Sequence, residues 1–342
     1  MTVVESARAA FERCGIFQSS PGPLVVAVSG GVDSMVLLSV AVDLLGSELV
    51  VAASFDHQLR AESAGDLAMV GVYAAKLGCR FESGRGDVAA AVAAGGGSVE
   101  QVARRMRYEW LADVARARGA AVVVVGHHAD DQAETVLFNL LRGGGLAAAG
   151  GMAETSTVPG AEDVSLLRPL LSVRRDDLVA FAAVHGVPFC DDASNQSLDF
   201  TRNRIRHEAL PLLSELMERD VVPALIRHAE IARADEAFLE SLAERELERL
   251  RRDAPEDAVE GSLALMVVGL RELDLALRAR VALRWLAACG VPDVSRRDVL
   301  AVDEVAMATD RPAKVNVKAG LCVRRRAGML FIAPQKSGDR SC

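Results

Sequence analysis

No stretch of 18 or more uninterrupted apolar residues occurs in this 342-residue chain, which argues against a membrane-spanning helix. The first residues, MTVVESARAAFERCG, carry acidic side chains and no apolar core, so they do not read as a secretory signal. The six cysteines (Cys14, Cys79, Cys190, Cys289, Cys322, Cys342) are scattered without a CxxC pair. That spacing offers no disulfide framework, zinc ribbon or iron–sulfur cradle, and it suits a reducing cytoplasm. Neither a Walker loop (GxxxxGK[ST]) nor a GxGxxG dinucleotide fingerprint is present. Lysine supplies only 4 of the 39 basic residues, a bias attributed first to a GC-rich genome.

What is present is globular. Hydrophobic residues make up 51% and charged residues 25%, and 342 residues call for two domains or three. The net charge of −8 at first argues against a nucleic-acid partner, because polyphosphate binding leaves a basic footprint. Its distribution reverses that conclusion. Residues 261–342 hold 14 basic and 8 acidic residues, a balance of +6, while 211–260 hold 7 and 14.

Apolar runs at Leu24–Val28, Leu49–Ser54 and Ala121–Gly126, and a weaker one at Arg80–Glu82, alternate with helical patterns at Ser34–Leu45, Ala61–Leu77, Val99–Arg118 and Asp131–Leu141. Such strands separated by helices predict an α/β fold, a parallel doubly wound sheet covered on both faces. A strand at Ser165–Leu171 and a helix at Ser172–His185 continue it. The glycine-rich stretches Gly95–Gly97 and 142–152 are expected to form mobile loops. The segment 189–213 reads as turn-rich and then helical. A charged helix from Val221 to Arg252, with an apolar stripe through Leu239, Leu242, Leu247 and Leu250, reads as a solvated connector. Two helical patterns (Arg271–Cys289, Ser295–Ala308) and short strands at 315–317, 322–326 and 329–332 predict a small α+β C-terminal domain. The expected divisions are therefore 1–214, a helical linker 215–260, 261–335 and a disordered tail 336–342.

The densest signal is LVVAVSGGVDSMVLL (24–38), where a buried strand ends in Ser29-Gly30-Gly31-Val32-Asp33-Ser34 and runs straight into an apolar helix. Consecutive glycines let backbone N–H groups approach an anion, and the helix N-terminus adds a favourable dipole. Ser29 and Ser34 can donate hydroxyls to phosphate. Asp33 would repel phosphate unless a cation lies between them, so magnesium is implied. An ordinary strand–turn–helix junction capped by Ser34 is the alternative. In VVVVGHHADDQAETVLFNLLRGGG (122–145), Asp131 and Glu134 are three apart on one helix face. Spacing alone leaves open an HxxD metal site or a capped helix with structural histidines.

SGGVDS resembles the pyrophosphate loop of the N-type ATP pyrophosphatases (PP-loop superfamily, with an adenine nucleotide alpha-hydrolase-like sheet), which cleave ATP between the α- and β-phosphates and adenylate an oxygen. HHADDQAET followed by LLRGGGL is similar to the signature of the tRNA(Ile)-lysidine synthetase family. SVEQVARRMRYEWL (98–111), RPLL (168–171), DASN…FTRNRIRHEALPLL (192–213) and KVNVKAGLCVRRRAGMLFI also resemble its motifs. The resemblance implies a cytoplasmic ligase that joins free lysine to C2 of the wobble cytidine of a CAU-anticodon tRNA(Ile) through an adenylated intermediate. It makes 1–214 the catalytic domain and 261–335 a tRNA-binding domain, and leaves a homodimer open.

By matched motif, ATP would bind at residues 29–34 (Ser29, Gly30, Gly31, Val32, Asp33, Ser34), His57, Gly126 and His127, with magnesium at Asp33 and Asp131. Arg104 and Arg107, three apart on one helix face, would join those two carboxylates in catalysis; a solvated surface is the alternative. Glu134, Arg202, Asn203 and Arg206 would contact lysine or tRNA, as would Arg324 and Arg326, which alternate along a strand. Ion pairing of Arg202 and Arg206 with Asp191, Asp192 or Glu208 stays open, as do a structural His57 and a solvated edge strand at 322–326. Gln58 stands where the family often has glycine, and 146–151 is almost all alanine and glycine. A 2-thiocytidine-type tRNA thiolase and a non-catalytic ATP-binding module are the competing readings.

Overall fold

The computed structural model describes residues 2–17, 22–59, 63–95, 97–190, 201–309 and 314–335. The expected tail 336–342 and most of the turn-rich part of 189–213 lie outside them. The chain divides into two compact units, Met1–Ala232 and Arg233–Cys342.

In the first unit, β1 (Leu24–Ala27), β2 (Val50–Asp56), β3 (Arg80–Arg85), β4 (Val122–Val124), β5 (Thr155–Val158) and β6 (Ala161–Leu167) form one sheet in the order β3-β2-β1-β4-β6-β5. All neighbours are parallel except the β5–β6 pair. β1 is central because both of its faces can be buried. Val26 packs with the helix Val32–Leu45 in one core, and Val25 packs with the helix Val99–Arg118 in the other. The helix Val32–Leu45 buries residues on all its sides, which explains its almost continuous apolar sequence. The helix Val99–Arg118 begins with a capping box between Ser98 and Gln101 and ends at Gly119, whose φ of +65° reverses the chain.

Two local expectations change. The strand expected at Ser165–Leu171 lies at Ala161–Leu167, preceded by an antiparallel partner, because Thr155–Val158 closes a hairpin through the turn at Gly160. The stretch 142–152, expected as a mobile loop, contains a helical turn, Leu146–Ala149. Asn139 Nδ2 donates to the Ala148 carbonyl at 2.8 Å, and Gln132 both donates to and accepts from the Met152 backbone.

The second unit begins within the helix Val222–Leu250, whose later residues Ala243, Leu247 and Leu250 enter its core. Glu236 and Glu240 of that helix pair with Arg280 and Arg284. β7 (Arg251–Asp253), β8 (Leu263–Met266), β9 (Lys314–Val317), β10 (Leu321–Arg326) and β11 (Met329–Pro334) form an antiparallel sheet in the order β7-β8-β11-β10-β9. The helices Leu275–Ala288 and Arg296–Met307 share its core, centred on fully buried Trp285. Trp285 Nε1 donates to the Leu263 carbonyl at 2.8 Å. Trp285→Phe therefore leaves that carbonyl with only the weak Cys289 thiol donor, beside a small cavity. An expected loss of about 1–3 kcal/mol in urea unfolding checks it.

Candidate functional site

The carboxyl edge of the first sheet collects the polar side chains. After β1 the chain turns at Gly30, with φ of +92°, a conformation side-chain-bearing residues rarely adopt. Gly31 caps the helix Val32–Leu45 without any side-chain hydrogen bond, so Ser34 is not its cap. Ser34 Oγ instead accepts from the Ser29 backbone N–H at 3.1 Å and donates to the Gly31 carbonyl at 3.0 Å, closing the loop on itself. The Ser29 and Ser34 hydroxyls lie 3.2 Å apart. The first turn of this helix thus faces the sheet edge with its backbone donors uncapped, the arrangement that binds anions.

Gly126, just past β4, lies against that loop. A Cβ there would stand 3.1 Å from the Asp33 carbonyl and the Ser34 nitrogen, which are backbone atoms and cannot swing away. Gly126→Ala is expected to cost about 1–3 kcal/mol and to weaken nucleotide binding, measured by thermal melting with and without ATP.

The helix Ala129–Leu141 starts where the two carboxylate groups meet. His128 is buried; its Nε2 stands 3.6 Å from Asp33 Oδ2 and 3.5 Å from Asp131 Oδ2, and its Nδ1 is 3.6 Å from Asp130. Burial opposes charge on this imidazole, but the contacts with Asp130 and Asp33 and the field of Asp131 lift its pKa to about 10. His128 therefore bridges Asp33 and Asp131 through Nε2 while its Nδ1 accepts from the Asp131 backbone N–H at 3.4 Å, a role the sequence reading had not assigned. Asp130, beside His128, also accepts from the Arg174 guanidinium and from the Arg175 backbone N–H.

One helical turn further, Glu134 is completely buried and receives both Arg202 Nε, at 3.1 Å, and Arg206 Nε. Arg206 also reaches Asp131 Oδ1 at 2.9 Å. A π-helical turn, Ile205–Ala209, follows directly on the Thr201–Arg204 helix that carries Arg202. Glu134 and Asp131, rather than Glu208, are the partners of Arg202 and Arg206; Glu208 pairs with Arg204. Asp191 and Asp192 lie outside the described residues. Asn203 sits half-buried beside these arginines in the chain.

A second group lines the same edge. Arg104 and Arg107 both lie over the ring of buried Tyr108, at 4.8 and 5.1 Å from its centroid. Asp33 Oδ1, His57 Nδ1, Arg107 Nε, the Tyr108 hydroxyl, His127 Nδ1 and Arg168 Nε are all buried without a hydrogen-bond partner. Burial, with Arg107 nearby, depresses the His57 pKa to about 4, and burial depresses His127 to about 3, so both imidazoles are neutral. Gln58 adopts φ of +54°, the conformation that glycine takes at no cost, and its N–H donates to Asp56.

Arg324 and Arg326 belong to the second unit and share a face of β10. There they meet Asp257: Arg326 makes a two-pronged contact and Arg324 lies 3.9 Å away. Arg326 also covers the Phe331 ring. No three His, Cys, Asp or Glu side chains are grouped to hold a metal ion among the described residues, nor is any helix there long and apolar enough to cross a membrane.

A parallel sheet with a glycine loop leading into an uncapped helix, opposed by an acidic edge, defines a PP-loop nucleotide-binding domain. The family model for that domain matches residues 6–213, and a model described as the TilS substrate binding domain matches 265–331. The chain is 44% identical to the tRNA(Ile)-lysidine synthase of Novosphingobium aromaticivorans over 54% of its length, and 39% identical to that of Gloeobacter violaceus over 77%. The matches span 55% of the first relative and 76% of the second. The U34-tRNA thiolase NcsA from Methanococcus maripaludis, solved with its [4Fe-4S] cluster, shares the fold (TM-score 0.54, 14% identity, 66% of this chain and 77% of that one). The chain belongs to the tRNA(Ile)-lysidine synthase family.

Proposed function

We propose that the protein uses ATP to activate C2 of the wobble cytidine in a CAU-anticodon tRNA(Ile) and joins free lysine to it. The observation that carries this reading is the chain of polar contacts Asp33–His128–Asp131–Arg206–Glu134, running from the glycine loop to a buried carboxylate. It sets a phosphate site beside a site suited to an amino acid's ammonium and carboxylate.

In the first step the cytidine C2 oxygen attacks the α-phosphorus and pyrophosphate leaves. The uncapped helix N-terminus and the loop N–H groups receive the departing charge, with Arg104 and Arg107 balancing it from the opposite side. Asp33 and Asp131 suit magnesium: Asp33 Oδ1 is buried and unpartnered, and the two carboxylates meet on either side of His128. Magnesium takes one or two carboxylates and draws its other ligands from phosphates and water, so a larger protein cage is not needed. When bound, it would draw charge from the leaving pyrophosphate. In the second step the lysine ε-amine attacks C2, the C2–O bond breaks and AMP leaves. Glu134 would orient the lysine ammonium, and Arg202 and Arg206 its carboxylate, by the fork geometry guanidinium offers. Neutral His57 and His127 would sit against the nucleotide. Arg324 and Arg326 would meet the tRNA backbone once Asp257 yields them. The reading also places the enzyme in the cytoplasm, as a monomer or homodimer.

Incubation with ATP, labelled lysine and a CAU-anticodon transcript tests the reading. Lysine incorporation with release of AMP and pyrophosphate is the expected result, and its absence sinks it. Sulfur transfer would favour the thiolase, and ATP binding without turnover a non-catalytic module.

A further inference from the structure

Arg168 follows β6 directly, in the RPLL stretch, and its residue is only 7% exposed. One terminal nitrogen donates to the Ala153 carbonyl at 2.8 Å and to Ser156 Oγ at 3.0 Å. Its Nε is buried with no partner. Among the described residues no carboxylate forms an ion pair with it. The groups that act on it electrostatically are Tyr108 and Arg104, and it acts in turn on His127. Arg168 is therefore a buried cation, held from behind by neutral oxygens, on the edge that carries Tyr108, Arg104, Arg107 and His127.

A buried guanidinium without an anion is costly, and Arg174, Arg202 and Arg206 in the same unit each meet a carboxylate. Arg107 also has a buried Nε without a partner, and it lies over the Tyr108 ring beside Arg104. Both guanidinium groups act on His127, so this part of the edge carries positive charge that the chain does not neutralise. The topology separates Arg168 from the glycine loop. Val26, Val124 and Leu167 point into the core of the helix Val32–Leu45, whereas Val25, Val123 and Leu166 point toward Tyr108 and Leu111. Arg168 and His127 continue the latter alternation beyond the ends of β6 and β4.

We propose that Arg168 is a phosphoryl-oxygen contact, an anion site beside His127 and across the sheet edge from the glycine loop. The ligand class is a phosphate mono- or diester oxygen. Two sources carry it: the α-phosphate of the adenylate, which must stay bound after pyrophosphate has left the glycine loop, or a phosphodiester of the RNA beside the cytidine. This assignment rests on the ATP- and RNA-using function proposed above, and it adds a residue to that site.

The test compares wild type, Arg168→Met, Arg168→Lys and Ser156→Ala by calorimetric titration with AMP, adenosine, inorganic pyrophosphate and an anticodon-stem RNA hairpin. A charged hydrogen bond of this kind is worth roughly tenfold or more in affinity. The expected result is that Arg168→Met weakens AMP by about that factor, leaves adenosine and pyrophosphate unchanged, and that Arg168→Lys restores part of it. Selective loss of hairpin binding with AMP unchanged also supports the site and names RNA as the source. AMP and hairpin affinities that both stay at wild-type values overturn the assignment. So does a Ser156→Ala variant that reproduces the full loss, or an equal fall in adenosine and pyrophosphate binding, since each would make Arg168 a structural support only. Wild-type protein that binds none of the four ligands fails the proposed function itself, whereas wild-type binding with an unchanged variant fails Arg168 alone.

Discussion

Asp33→Asn is expected to slow pyrophosphate release by about 10²–10³-fold, the scale on which single preorganised electrostatic groups act. The substitution is isosteric and its side chain is partly exposed, so packing is spared. What changes is charge at the mouth of the glycine loop. Asp33 Oδ1 has no partner within the protein, and its other oxygen faces His128 Nε2 at 3.6 Å. An amide in that place could not draw a divalent cation to the leaving phosphates. Asp130 and Asp131 remain beside His128, so the local structure survives. The measurement is pyrophosphate release with ATP and RNA, alongside a thermal midpoint within a degree or two of wild type. Undiminished release would remove Asp33 from its role. A large fall in midpoint would mean that the carboxylate serves folding.

The second large effect belongs to Glu134. Its carboxylate is fully buried, and two guanidinium groups that remain partly exposed converge on it. Glu134→Ala removes the shared counter-charge from both. Breaking a buried pair from one side costs about 3–5 kcal/mol, and because Arg202 and Arg206 can turn toward water we expect roughly 2–4 kcal/mol in urea unfolding. Glu134→Gln keeps two acceptor lone pairs and should lose about half as much. The proposed function adds a second readout, a KM for lysine that rises more than the KM for ATP. Unchanged stability with an unchanged lysine KM would show that the buried pair does neither job.

Much of the first unit was legible because its signals are local. The alternation of apolar runs and helical patterns over residues 24–141 follows from burial on both faces of a parallel sheet, and each of those strands and helices recurs within a few residues of its expected ends. The glycine loop was readable for the same reason: Gly30 and Gly31 are adjacent in the chain and act through their own backbone. The hairpin strand Thr155–Val158 was not readable. It is polar, exposed at an edge, and stabilised by register with β6 rather than by its own pattern. β7, three arginine and aspartate residues, escaped for a similar reason.

The sequence by itself determined the class of fold, the phosphate loop and the presence of an acidic helix start, because spacing along the backbone dictates all three. Only the tertiary structure decided which charges meet. His128 comes to stand between Asp33 and Asp131, which lie 98 positions apart in the chain, and Arg202 and Arg206 choose Glu134 over the nearer Glu208. Arg324 and Arg326, which looked like open RNA contacts, are answered by Asp257 across the second sheet. The physical reason is the same in each case. Pairing energy depends on distance in space and on the water excluded between the partners, and neither quantity is written in the order of residues.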